Sequence, residues 1–181
     1  MRRLFRKPLT WVVLTVVVAG AVVALALFEP WRLFTSSHID ESIPVAETET
    51  ETTRTPTDSG TTTPAPAEPV ALAEGQFVSG EHDTSGTARV LQLPDGSRIL
   101  RLENFATSDG PDVRVWLTDQ AAGGEWGAYD DGRAVQLGEL KATDGNQNYV
   151  IPADVDLAGL QSAVIWCDRF DVAFGTADLA L

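Results

Sequence analysis

The chain contains a single cysteine, Cys167, and only two histidines, His38 and His82. One cysteine excludes an intramolecular disulfide and any zinc or iron–sulfur site built from several cysteines. The carboxylates at 109–112 and 130–132 lack the spacing of a calcium loop and fit ordinary turns, so we predict no metal site. The sequence has no G-x-S-x-G, H-E-x-x-H or phosphate-cradling glycine motif, and a hydrolase or kinase is therefore not supported.

Basic residues are also few. The 181 residues include 13 Lys and Arg against 26 Asp and Glu, which gives a formal net charge of −13. Seventeen of the acidic residues and only seven of the basic ones lie within 75–181. A domain of this charge repels phosphate backbones and anionic lipid surfaces, so we predict no nucleic-acid binding.

The chain has one long uncharged run, the twenty residues 9–28. At ~1.5 Å rise per residue, a helix of this length crosses a hydrocarbon core of about 30 Å. Four of the first seven residues are basic, which favours a cytoplasmic N-terminus over 1–8. We predict a single-pass transmembrane helix over 9–28, with the protein in the cell membrane and its C-terminal part extracytoplasmic. The alternative, a signal peptide cleaved near 24–26, conflicts with an apolar run longer than about 7–15 residues.

The composition changes after this run. Residues 44–69 contain nine threonines and five prolines and almost no large apolar side chains, so they cannot offset the entropy lost on ordering. We predict that 29–74 is a juxtamembrane segment followed by a disordered linker. His38 lies in this range, among serines and acidic residues, and we interpret it as a solvated linker histidine.

Residues 75–181 show short β-type runs separated by turn residues about every 8–12 positions, as in sandwiches and barrels. The predicted strands cover 76–79, 87–93, 98–103, 112–118, 135–140, 149–152, 162–167 and 170–175. The fold class that we predict is all-β, an antiparallel β-sandwich of about seven or eight short strands. In the strand 98–103, Leu100 and Leu102 are predicted to face the core, and Ile99 and Arg101 the solvent.

Cys167 lies in the least polar of these strands. Side chains alternate along a strand, so Val164 and Trp166 face one side while Ile165 and Cys167 face the other. Neither side is polar, which indicates a central strand covered on both faces. Asp168 would raise the pKa of the thiol, and Arg169 would lower it.

Two interpretations of Cys167 remain open: a packed small hydrophobe or a redox or ligating thiol. An unpaired thiol outside the cytoplasm is prone to oxidation, which favours a functional role. His82 lies in the polar loop 81–86 and is either a hydrogen-bonded turn histidine or a ligand that pairs with Cys167. A Cys/His pair can bind haem iron axially.

Several short motifs, taken in order, resemble the electron transfer DM13 domain family. They occupy 82–88, 100–105, 110–117, 137–141, 145–152, 164–170 and 174–179. The resemblance covers 75–181 and neither the apolar run nor the linker. One departure is Ala142, where the family often has glycine.

The resemblance implies an extracytoplasmic all-β domain with a characteristic cysteine, here Cys167. In the family this cysteine is proposed to act in electron transfer, as a bare thiol or as a ligand to a prosthetic group such as haem. Larger relatives place the domain beside haem-binding DOMON and cytochrome b-type domains. Here it stands alone, so the resemblance implies a separate redox partner protein, with Cys167 as the site and His82 as a second candidate ligand.

The alternative function is a non-catalytic interaction or scaffold module of the cell envelope, with Cys167 as core packing. The glycine-rich loop 119–133 carries Trp126 and Tyr129, which would then be the contact residues. These two rings could equally close one end of the sandwich as aromatic lids.

Overall fold

A computed structural model describes residues 8–28, 35–44 and 68–181. It contains one helix, α1 (Pro8–Phe28), and nine strands. The strands are β1 (His38–Asp40), β2 (Val70–Ser79), β3 (Ser85–Gln92), β4 (Arg98–Ala106), β5 (Val113–Thr118), β6 (Ala134–Glu139), β7 (Asp144–Ile151), β8 (Ser162–Cys167) and β9 (Val172–Asp178).

The helix α1 covers the uncharged run, and its apolar side chains between 11 and 26 are exposed. Within the described residues, no helix meets both the length and the hydropathy that a membrane span requires. The transmembrane helix over 9–28 therefore stays a prediction. Most of the predicted cytoplasmic segment 1–8, and residues 29–34 and 45–67 of the predicted linker, lie outside the described residues.

The strands form one continuous sheet in the order β1-β7-β4-β3-β2-β9-β8-β5-β6. The long strand β2 joins its two halves, because residues 70–76 pair with β3 and residues 77–79 pair with β9. Apolar side chains from both halves enclose a single main core. The predicted all-β class is confirmed, but the sheet folds over on itself rather than forming two separate sheets.

The predicted count of seven or eight strands agrees with the eight strands β2 to β9, which all pair antiparallel. One detail was wrong: a ninth strand, β1, precedes them and pairs with β7 in parallel, so the sheet is not wholly antiparallel. The predicted start of the domain, residue 75, lies inside β2, and β1 lies in the juxtamembrane part of the range 29–74, before the predicted linker. Its three residues are too short a run to predict a strand, although Ile39 favours one; pairing with β7 places them in the sheet.

The segment around β1 covers the outer face of β4, which was predicted to face solvent. Ile99 is only 2% exposed and Arg101 only 7%, although both were predicted to face solvent. Ile43 packs on the small apolar cluster that contains Ile99, and Arg101 Nη1 donates a hydrogen bond of 2.9 Å to the carbonyl of Glu41. This cover comes from a segment about sixty residues earlier, which strand alternation cannot reveal.

Candidate functional site

Cys167 is the last residue of β8, the most buried strand of the sheet. All six residues of β8 are buried, and Cys167 lies between Val113 of β5 and Val172 of β9. Ala163, Ile165 and Cys167 share one face, as the alternation predicted, and in the structure this face belongs to the main core. Cys167 is therefore fixed on both sides by strand pairing.

No part of Cys167 is exposed, although the strand ends at this residue and the next residue of the chain is partly exposed. The four residues that follow it, 168–171, form the turn between β8 and β9, and they are exposed or partly exposed. Phe170 is 47% exposed, while its amide donates to the carbonyl of Cys167 at 3.2 Å. The turn is thus the cover that separates this end of the core from solvent.

The surroundings of the sulfur include groups that raise the pKa of the thiol and groups that lower it. Burial raises the pKa of the Cys167 thiol most strongly, and the charge of Asp112 raises it further. Backbone hydrogen bonds from Phe170, Arg169 and Asp112 oppose this rise, since each favours negative charge on sulfur. The net pKa is raised above the ordinary value of 9.0, so the thiol is protonated at neutral pH.

The carboxylates beside the turn are paired. Arg114 Nε lies 3.0 Å from Asp112 Oδ1 and 2.9 Å from Asp168 Oδ2, so one guanidinium bridges both groups. The sequence predicted that Asp168 would raise the thiol pKa and that the Arg169 charge would lower it. In the structure, the charge that raises the pKa is that of Asp112, and Arg169 acts through its backbone amide.

His82 lies in the loop between β2 and β3 and is half-buried. Its ring packs on the ring of Phe174, with 4.0 Å between the centroids and 56° between the planes. Phe174 belongs to the same core cluster as Cys167. His82 thus packs at the margin of the core that contains Cys167, but no hydrogen bond joins the two residues in the described part of the chain.

On the other face of β8, Trp166 stacks on Trp116 with 5.1 Å between ring centroids. The loop 119–133 covers this pair, since Tyr129 is buried against it while Trp126 remains exposed. Tyr129 is therefore the lid that the sequence allowed. Trp116 Nε1 has no hydrogen-bond partner among the described residues, so packing alone holds that ring. Sequence reasoning did not predict the tryptophan pair, because alternation within β5 and within β8 does not show which of their faces coincide.

A comparison with family models matches residues 76–179 to electron transfer DM13. This range covers more than half of the chain and contains both Cys167 and His82. The chain belongs to the electron transfer DM13 family. No curated protein and no solved structure matches the chain.

The surroundings of Cys167 in this DM13 domain do not fit a haem. The cavity that shares the neighbours Asp112 and Val113 with Cys167 has a volume of about 190 Å³, and Cys167 does not line it. Pockets that hold small molecules and cofactors measure roughly 300–1,000 Å³. The described residues also contain no group of three or more His, Cys, Asp or Glu side chains that could hold a metal ion.

Proposed function

We propose that this DM13 protein takes part in electron transfer through the sulfur of Cys167, which becomes accessible when the β8–β9 turn opens. The observation that carries the proposal is the position of Cys167: it ends β8 immediately before the exposed turn 168–171, and backbone amides of that turn act to lower the pKa of its thiol. A cysteine that only fills the core gains nothing from such donors. A thiolate or a ligating sulfur is stabilised by them.

The proposed location of the protein, at the membrane, is based on the uncharged run 9–28. The uncharged helix α1 and the basic residues before it support a single-pass membrane anchor with the DM13 domain outside the cytoplasm. A single cysteine cannot form a disulfide within the chain, so its oxidation would proceed by exchange: the Cys167 thiolate attacks a disulfide of a partner protein, a mixed disulfide forms, and one partner thiolate leaves. A separate redox partner is therefore part of the proposal.

The second candidate function is a non-catalytic envelope module. The specific observation in its favour is the complete burial of Cys167 together with the raised pKa of its thiol. Trp126, exposed in the loop 119–133, would be its contact residue, whereas Tyr129 is buried and would not.

The reaction of the full-length protein with an aromatic disulfide reagent, followed with and without guanidinium, distinguishes the two functions. We expect slow labelling of Cys167 in the native state, at a rate set by opening of the turn. Phe170→Gly loosens the turn 168–171 and should speed native labelling at least about tenfold. Asp95→Gly loosens the β3–β4 turn, where Asp95 accepts hydrogen bonds from Ser97, and serves as the matched control.

Labelling that occurs only at the rate of global unfolding, and equally in both variants, would support the envelope module instead. A visible absorption spectrum of the same preparation adds an independent check. We expect no haem band, and a band that disappears in Cys167→Ser would contradict the poor fit of a haem described above.

A further inference from the structure

The segment 35–44 is held on the domain by an unusually dense set of hydrogen bonds for so short an element. The backbone of β1 pairs with β7, and the amide of Glu41 donates to the carbonyl of Asn146 at 2.9 Å. Ser37 and Thr143 exchange three hydrogen bonds between backbone and side chains. His38 also contacts the carboxylate of Asp144; its side chain is 66% exposed and therefore solvated, as predicted, but it belongs to a docked strand rather than to a linker.

Glu41 provides the charged part of this contact. Its carboxylate accepts hydrogen bonds from Lys141 Nζ at 2.8 and 2.9 Å and from the amide of Asn148 at 2.7 Å. Its carbonyl accepts from the buried guanidinium of Arg101. The segment thus satisfies donors that belong to β4, β7 and the residue Lys141 just before β7.

Gly145 provides the space for this contact. A Cβ at Gly145 would lie 1.9 Å from the carbonyl oxygen of Ile39 and 2.9 Å from the ring of His38. Its φ of +105° is also one that other residues rarely adopt. Any side chain at this position would push β1 off the edge of β7.

The position of β1 in the chain limits how far the domain can lie from α1. Phe28, at the end of α1, is ten residues from His38, so a docked β1 keeps the domain within about 35 Å of that helix. With β1 undocked, the first strand held by the domain is β2, and the limit from Phe28 to Val70 becomes about 145 Å. The state of a three-residue strand therefore changes the reach of the domain about fourfold.

We propose that the outer edge of β7 is a strand-acceptor site for the chain's own segment 35–44, and that this segment is a releasable latch. The latched protein holds its domain close to α1, and release lets the domain reach partners farther away. Release is feasible because β1 has only three residues and most of the segment is exposed. The free energy gained from the hydrogen bonds of the segment therefore only narrowly exceeds the conformational entropy that the segment loses on docking. The proposal requires only α1 and the sheet, and is independent of the role of Cys167.

Energy transfer in the full-length chain tests the latch, with a donor on the N-terminal amine and an acceptor on Asp154→Cys in a Cys167→Ser background. We expect Gly145→Ala to lengthen the mean distance and to lower the hydrogen-exchange protection of the Glu41 amide at least tenfold. Gly138→Ala is the matched control, since Gly138 also has a positive φ, +137°, but has no atom near its Cβ position.

Glu41→Ala gives an independent second variant, because it removes the Lys141 and Asn148 contacts without adding any group to the sheet. It should lengthen the distance as well. Unchanged distance and protection in both variants would overturn the latch. A distance that depends on protein concentration would also overturn it, since a second copy would then supply the docked segment.

Discussion

Cys167 illustrates how a neutral side chain can make stability depend on pH. Its pKa is raised mainly by burial, so the folded state binds the thiol proton more tightly than the unfolded state. This contribution is fully present below pH 9.0, the ordinary value, and is lost as the pH rises through the raised pKa. We expect the guanidinium midpoint to fall as the pH is raised above about 9. Because Tyr149 has a raised pKa too, the measured quantity is the difference from Cys167→Ser, and an equal fall in both proteins would contradict the prediction.

Tyr149 gives a second prediction for a single residue. Its hydroxyl donates to Gln147 Oε1 at 2.7 Å and accepts from the amide of Lys141 at 3.0 Å. Tyr149→Phe leaves the Lys141 amide without this partner, which should lower the free energy of unfolding by about 1–2 kcal/mol. Val150→Ala on the same strand is the control, since Val150 is 69% exposed and should change stability by less than about 0.5 kcal/mol. Chemical denaturation measures both, and equal losses would show that the hydroxyl contributes nothing.

Among the strands, β2 is the one that connects the two halves of the sheet. Its change of partner occurs after Gln76, and Gly75 lies just before that point. A Cβ at Gly75 would lie 1.8 Å from the carbonyl oxygen of Asp178, a backbone atom that cannot swing aside. We expect Gly75→Ala to lower the free energy of unfolding by about 1–3 kcal/mol, or more if β9 must shift.

Gly127→Ala is the matched control for the close approach at Gly75. The nearest atom to a Cβ at Gly127 is the carbonyl oxygen of Asp171 at 3.4 Å, an ordinary contact, and the residue is exposed. Its effect should stay within about 0.5 kcal/mol. Thermal unfolding of the two variants gives the comparison, and a neutral Gly75→Ala would mean that β2 and β9 can separate at little cost.

The elements also show where sequence reasoning succeeds. Alternation correctly placed Ile165 and Cys167 on one face, Trp166 on the other, and both faces under cover, because β8 is paired on both sides and every position is buried. The same rule failed for Ile99 and Arg101, because a strand pattern shows which side a residue faces but not what covers that side. Burial of Cys167, which decides its chemistry, likewise depends on the turn 168–171 and its fold over the sulfur.

At the scale of the whole molecule, the residues matched by the family and the residues that form the sheet do not have the same boundaries. The DM13 match covers 76–179, whereas the sheet begins with β1 at His38 and includes all of β2. The segment 35–44 therefore lies outside the matched range and pairs with one edge of the domain. Because that edge would otherwise be an unpaired strand, the docked segment also protects β7 from pairing with other molecules.

The contact between this segment and the domain should depend on acid. Burial raises the pKa of Glu41, but hydrogen bonds from Lys141 and Asn148 and the charges of Lys141 and Arg101 lower it more, and the net shift is downward. A lowered pKa in the docked state means that docking is fully favoured above pH 4.5, the ordinary value, and weakens as the pH falls through the lowered pKa.

We therefore expect the distance between the N-terminus and the domain to lengthen as the pH is lowered from 6 to about 3, before the sheet itself unfolds. Two other ionisable contacts of the segment, His38 with Asp144 and Asp40 with Asn146, face the same strand, so the variant Glu41→Gln is needed to assign the effect. Glu41→Gln should have a longer distance at pH 6 and a smaller change on acidification. If the distance lengthens by the same amount in Glu41→Gln on acidification, the release belongs to the other carboxylates. If the distance does not change in the wild type, ion pairing does not hold the segment in place.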